Sequence, residues 1–141
     1  MSDPGPTADI ESMVSNAFPT RVFLADDSLP IRQRVGALLA AEGMHIAGEA
    51  GTPKGCIDAI LACRPDVVVL DVRLDGGSGL QVLKAVRAVD AQVEFVILSN
   101  NADPAYRSRY LAAGAVRFLD KSIEFEQLAQ AVQSARHARV H

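Results

Sequence analysis

Positive charge is in short supply in this sequence: 14 lysines and arginines stand against 17 acids, for a formal charge of -3 and a pI near 5.5. A nucleic-acid-binding domain carries a basic face, so direct contact with nucleic acid is not expected of this chain. Cysteine is scarce too. Cys56 and Cys63 are seven apart on a helical stretch and lack Cys-X-X-Cys spacing, so they read as reduced core thiols rather than a metal or redox pair. His45, His137 and His141 form no cluster and are expected at the surface. No apolar run approaches the roughly 20 residues that cross a bilayer, and no basic stretch followed by an apolar one opens the chain. A cytoplasmic protein without a membrane partner is therefore expected. What is present is 141 residues, 49% of them hydrophobic, enough for one domain with a real core.

Residues 1–20 differ from the rest. Pro4, Gly5, Pro6 and Pro19 favour an extended arm, while Ile10, Met13, Val14, Ala17 and Phe18 follow helical spacing behind Asp9. Two turns do not hold alone. The arm is either flexible or a short amphipathic helix packed on its own domain or on a second subunit, which leaves a homodimer open.

Over residues 21–141 the pattern is regular. Short apolar runs at 22–25, 45–49, 67–70, 93–98 and 116–119 read as strands. The run Val67, Val68, Val69, Leu70 has the continuous hydrophobicity of a strand covered on both faces. Between them lie helical patterns: Ile31, Val35, Leu38 and Leu39 behind a Ser28 cap; Ile57, Ile60 and Leu61; Leu83 and Val86; Tyr106, Tyr110 and Leu111 behind Asp103; and a last helix from Ile123 to about Arg139. Five strands alternating with five helices imply an α/β fold, a doubly wound parallel sheet with helices on both faces.

All strands of such a sheet point one way, so Asp26, Asp27, Asp71, Ser99 and Lys121 share the edge where ligands bind. Acids at a strand end can be nothing more than core meeting water or favourable charges at a helix start. That does not explain a hydroxyl and a lysine on neighbouring strand ends. Two unit charges ~4 Å apart repel by about 4 kcal/mol at an effective dielectric near 20. Lys121 neutralises one charge, and an oxygen-loving divalent cation, magnesium, is the natural complement. With it bound, Asp71 can attack a phosphoryl group, the metal and Lys121 offsetting negative charge and Ser99 donating to a phosphoryl oxygen.

This order of residues resembles the receiver domain of two-component response regulators, which accept phosphate from a phosphohistidine on a sensor kinase or phosphotransfer protein. LADDS supplies the acidic pair Asp26 and Asp27, LDVRLDGGSG the phosphoacceptor Asp71 and Gly79, ILSN the hydroxyl Ser99, and FLDK the aromatic Phe118 and Lys121. The resemblance implies a flavodoxin-like sheet of order 2-1-3-4-5 and a magnesium ion, replaceable by manganese, held by Asp27, Asp71 and the backbone carbonyl of Arg73, with Asp26 holding a metal water. It also implies a switch made of Ser99 and Phe118, and a downstream protein meeting the face of the fourth helix, where Tyr106, Arg107 and Tyr110 stand. Self-phosphorylation and autodephosphorylation are the only chemistry it implies; enzyme activity is not expected.

Three positions depart from the family pattern. Asp75 and Ser122 replace the usual prolines, which predicts a looser loop after Asp71 and puts the aim of Lys121 in question. Asn100 replaces a small residue and is expected to narrow access to Asp71. Arg73 and Asn101 occupy positions that tune phosphate lifetime. The expected function is a stand-alone phosphorylation-dependent switch, since the last helix consumes the chain. The receiver part of a longer DNA-binding regulator is the alternative. A haloacid-dehalogenase-type phosphatase would want a second acid at position 73, where Arg73 stands, and a phosphorylation-independent module would not need the intact acidic set.

Overall fold

The computed structural model describes residues 18–101 and 103–138; most of the predicted arm, and His141, lie outside them. Five parallel strands form one sheet: β1 (Arg21–Ala25), β2 (His45–Ala50), β3 (Val67–Leu70), β4 (Glu94–Ser99) and β5 (Arg117–Asp120), in the order β2-β1-β3-β4-β5. They alternate with α1 (Leu29–Ala41), α2 (Pro53–Cys63), α3 (Gly79–Val89), α4 (Pro104–Ala112) and α5 (Leu128–Ala138). The expected fold and strand order are therefore present.

Alternation along the strands divides the core in two. Phe23, Val68, Leu70, Phe95, Ile97 and Phe118 face α2, α3 and α4, whereas Val22, Leu24, Val67, Val69, Val96 and Leu98 face α1 and α5. β3 is central and all four of its residues are buried, which explains its unbroken apolar sequence. The first four helices start at the carboxyl edge of the sheet with a side-chain cap: for α1, α2 and α4 the Ser28 hydroxyl accepts from Ile31 N, the Thr52 hydroxyl from Gly55 N, and the Asp103 carboxylate from Ala105 N. Ser78 and Gln81 form a reciprocal capping box before α3. Each cap is worth about 1 kcal/mol and fixes where the chain leaves its strand.

Two expectations need correction. The last helix does not start at Ile123, which is 78% exposed; a single 3-10 turn at Phe125–Gln127 precedes α5. Ile123 fits the apolar spacing, but Asp120 accepts from Ser122 and its carbonyl from Ile123 and Glu124, closing a turn where a helix would begin. Cys56 is fully buried as expected, with burial pushing its thiol up to about 11, whereas Cys63 is only partly buried at the end of α2. His45 and His137 are exposed. No helix among the described residues is long and apolar enough to cross a membrane.

Candidate functional site

The chain leaves β1 toward β2 on one side of the sheet and β3 lies on the other, so a crevice opens at the carboxyl ends of β1 and β3. Backbone hydrogen bonds carry the ladder past the strand ends: Asp26 N donates to Ala50 O at 3.1 Å, Asp71 N to Ala25 O at 2.9 Å, and Lys121 N to Ser99 O at 2.9 Å. The predicted residues Asp26, Asp27, Asp71, Ser99 and Lys121 thereby line one cleft of about 560 Å³. The chain turns sharply at Gly79, where a Cβ would run into the carbonyl oxygen of Asp71. Only glycine permits that close approach.

Lys121 does more than neutralise one acid. Its Nζ lies 2.9 Å from Asp26 Oδ2 and 3.2 Å from Asp71 Oδ2, and its side chain is only 8% exposed. Burial works against the lysine's charge, but the hydrogen bond to Asp26 and the charges of both acids outweigh it and raise its pKa. Asp71 shows the reverse balance: burial, aided by the charge of Asp26 and opposed by Lys121, pushes its carboxyl up to about 6. One oxygen from each of Asp26, Asp27 and Asp71 falls within 4.8 Å of the others. Three such carboxylates with one lysine leave excess negative charge, and their hard oxygens suit magnesium. The donor set fits the ion. Arg73 lines the same cleft and its amide donates to Asp71 Oδ1 at 3.4 Å, so its backbone turns over the acid.

Ser99 is buried at the end of β4, and its Oγ accepts from Asn101 N at 3.0 Å. Phe118 is 2% exposed and points inward. Tyr110 meets its ring edge-on at a centroid distance of 6.0 Å, and the Arg107 guanidinium lies 5.2 Å from the centroid. Arg107 Nη1 also donates to the Phe118 carbonyl at 3.0 Å. Tyr110 is therefore not part of a partner surface: it is 1% exposed, and burial pushes its hydroxyl up to about 12. Spacing of i, i+4 places Tyr106 on the same inward stripe, where it lines the cleft, and leaves Ser108, Arg109 and Leu111 as the outward residues of α4. The expected surface of Tyr106, Arg107 and Tyr110 therefore loses Tyr110 to the core.

The departures have structural answers. Asp75, between the two short strands Arg73–Leu74 and Gly77–Ser78, donates its N–H to Gly51 O at 2.8 Å, a bond that proline cannot make, so the loop is tied rather than loosened. Ser122 donates from N and Oγ to Asp120 Oδ1 at 2.8 and 2.6 Å. That turn brings Lys121 onto both acids without a proline, and no peptide bond among the described residues is cis. Asn100 and Asn101 line the cleft.

Residues 22–133 match the model of the response regulator receiver domain. The chain is similar to the DNA-binding transcriptional activator DevR/DosR of Mycobacterium tuberculosis, 32% identical over 84% of this chain and 55% of that protein. It is also similar to the transcriptional regulatory protein DesR of Bacillus subtilis, 29% identical over 84% of this chain and 59% of that protein. The chain thus spans little more than half the length of these curated relatives. Among solved structures it resembles the signal receiver domain of NarL from M. tuberculosis, with a TM-score of 0.79 and 31% identity over 84% of this chain and 97% of that one. TrrA from Thermotoga maritima, solved in complex with Mg2+-BeF, gives a TM-score of 0.74 and 26% identity over 82% and 98%.

Proposed function

The chain belongs to the response regulator receiver family, and from that premise we propose that it is a signalling switch phosphorylated on Asp71. The observation that carries the reading is Lys121 Nζ reaching both Asp26 and Asp71 in a cleft that also holds Asp27 and Ser99. A Asp71 carboxylate oxygen attacks phosphorus, the new O–P bond forms, and the P–N bond of a phosphohistidine breaks with its electron pair leaving on the imidazole. The donor is a sensor histidine kinase or a histidine phosphotransfer protein. With a value of about 6, Asp71 is ionised at neutral pH and able to attack. Asp26, Asp27, Asp71 and the Arg73 carbonyl would hold magnesium, or manganese in its place. Bound there, the metal offsets the charge on the attacking carboxylate and on the phosphoryl oxygens. Lys121 contributes a fixed positive charge beside Asp71, and Ser99 a hydroxyl close to the incoming group. Phe118 reports the event to the α4–β5 side, where a downstream protein binds.

The protein carries out no turnover on another substrate in this reading, only its own phosphorylation and dephosphorylation, and it acts in the cytoplasm. A second reading rests on the relatives' names and lengths: these residues form the receiver part of a DNA-binding regulator, with DNA contact made outside the region matched here. Incubation with magnesium and a small phosphodonor such as acetyl phosphate, read by intact mass, tests the phosphoacceptor. Wild type should gain one phosphoryl group and Asp71→Asn none. An unmodified wild type, or an equally modified variant, would refute the assignment.

A further inference from the structure

Arg32 lies on α1, five positions past Asp27, with its side chain only 16% exposed. Its guanidinium reaches back in two directions. Nη1 donates to the backbone carbonyl of Asp26 at 2.6 Å, and Nε donates to Glu49 Oε1 on β2 at 2.7 Å. The Asp26 N–H is held by Ala50 O at 3.1 Å. The backbone of the acidic pair is thus gripped on both sides, by a strand at its amide and by a helix side chain at its carbonyl. Gly51 completes the enclosure: a Cβ there would come within 3.2 Å of Arg32 Nη1 and 3.3 Å of both Asp26 O and Asp27 Cα.

We propose that Arg32 is a positioning residue for magnesium, fixing the peptide that joins Asp26 to Asp27 by bridging the Asp26 carbonyl and the Glu49 carboxylate. The inference rests on the metal reading of the acidic site. Rotation of that one peptide swings two carboxylates at once, and magnesium demands near-ideal octahedral geometry, so a loosened peptide weakens binding. The fork shape of arginine matters because two partners lie in two directions, which an ammonium group does not match. A surface ion pair with Glu49 alone would contribute little. The bond to the Asp26 carbonyl is what connects Arg32 to the site.

The test is magnesium titration of the whole chain by calorimetry, with thermal melts recorded in parallel. Arg32→Met should weaken magnesium about tenfold, the lower end of the range for residues that orient metal ligands. Arg32→Lys should fall between it and wild type. Gly51→Ala changes no charge but crowds the guanidinium, the Asp26 carbonyl and Asp27 Cα together; it should weaken magnesium severalfold, and by less in the Arg32→Met background, where there is no guanidinium to displace. If Arg32 mattered only through its charge, Arg32→Met would bind the cation more tightly and Gly51→Ala would weaken magnesium equally with or without Arg32; either result overturns the proposal. A lowered melting temperature with unchanged magnesium affinity in the variants also overturns it, leaving Arg32 a structural residue. Should Arg32→Met fail to fold, Arg32→Lys takes its place alone and in combination with Gly51→Ala, and an Arg32→Lys variant that binds magnesium as tightly as wild type overturns the proposal. A wild type that binds no magnesium refutes the metal reading itself, and the proposal with it.

Discussion

Asp71 carries a cost in the metal-free protein that exchanging one oxygen for an amide should relieve. Burial, with the charge of Asp26 adding and Lys121 opposing, raises its carboxyl from 3.8 to about 6. The folded protein therefore holds this proton more tightly than the unfolded chain does. The stability contributed by the group is fully present below 3.8 and is lost as pH rises through about 6. At pH 7.5 the whole difference counts, about 3 kcal/mol at 1.36 kcal/mol per tenfold change. The acid faces an open cleft, and solvent screening reduces this to roughly 1–2 kcal/mol. Asp71→Asn keeps the shape, removes the charge and leaves Lys121 with Asp26 at 2.9 Å. Without divalent metal the variant should melt about 3–8 °C above wild type at pH 7.5, with the gain falling to roughly half at pH 5. Far-UV circular dichroism is the suitable probe, because the chain has no tryptophan. Saturating magnesium should narrow or reverse the gap, since it binds the carboxylate and not the amide as tightly. A variant no more stable than wild type at pH 7.5, or a gain that does not shrink as pH falls, would refute the reasoning.

Lys121→Met removes the cation shared by Asp26 and Asp71 and leaves two largely buried acids facing each other. It should cost about 2–4 kcal/mol in urea without metal. The same variant should bind magnesium more tightly by calorimetry, because no lysine competes for the acids; weaker binding would count against the site. Gly79→Ala places a methyl against the Asp71 carbonyl and 3.1 Å from the Leu70 side chain, so the loop must shift. A loss of about 1–3 kcal/mol is expected, with a drop in phosphoryl incorporation by intact mass even where the variant remains folded.

The strands and most helix limits were legible because they follow from local pattern. β3 announces itself as four apolar residues in a row, and Ser28 and Asp103 mark helix starts that the structure confirms. The convergence of Asp26, Asp71 and Lys121 was legible for a different reason: once the sheet is parallel, its strand ends must meet at one edge. What escaped notice depends on contacts between elements distant in sequence. Arg32 finds Glu49 across 17 positions and Arg107 finds the Phe118 carbonyl across 11, and neither pair has a periodic signature. Tyr110 was misplaced because an amphipathic tyrosine reads equally as rim or core until the helix is docked. Ile123 was drawn into a helix because apolar spacing says nothing about the Asp120 turn that displaces it.

The absent prolines show how a loop can keep its shape by another route. Proline at a compatible position stabilises by about 0.4–1 kcal/mol, chiefly by restricting the unfolded chain. A hydrogen bond made by the freed N–H contributes about 0.5–1.5 kcal/mol in the folded state. Asp75 uses its N–H on Gly51, tying the loop after Asp71 to the end of β2. Ser122 uses both N–H and hydroxyl on Asp120, immediately beside the lysine. The two devices are close in magnitude but differ in what they hold. Proline fixes one dihedral, whereas the Ser122 bonds close a local turn and the Asp75 bond fixes the distance between two segments. The Asp75 bond carries this further, because Gly51 also packs against Arg32 and Asp26. The loop after Asp71 and the loop bearing Asp26 and Asp27 are thus referenced to the same residue, and the acids keep their spacing although the backbone around them lacks its usual prolines.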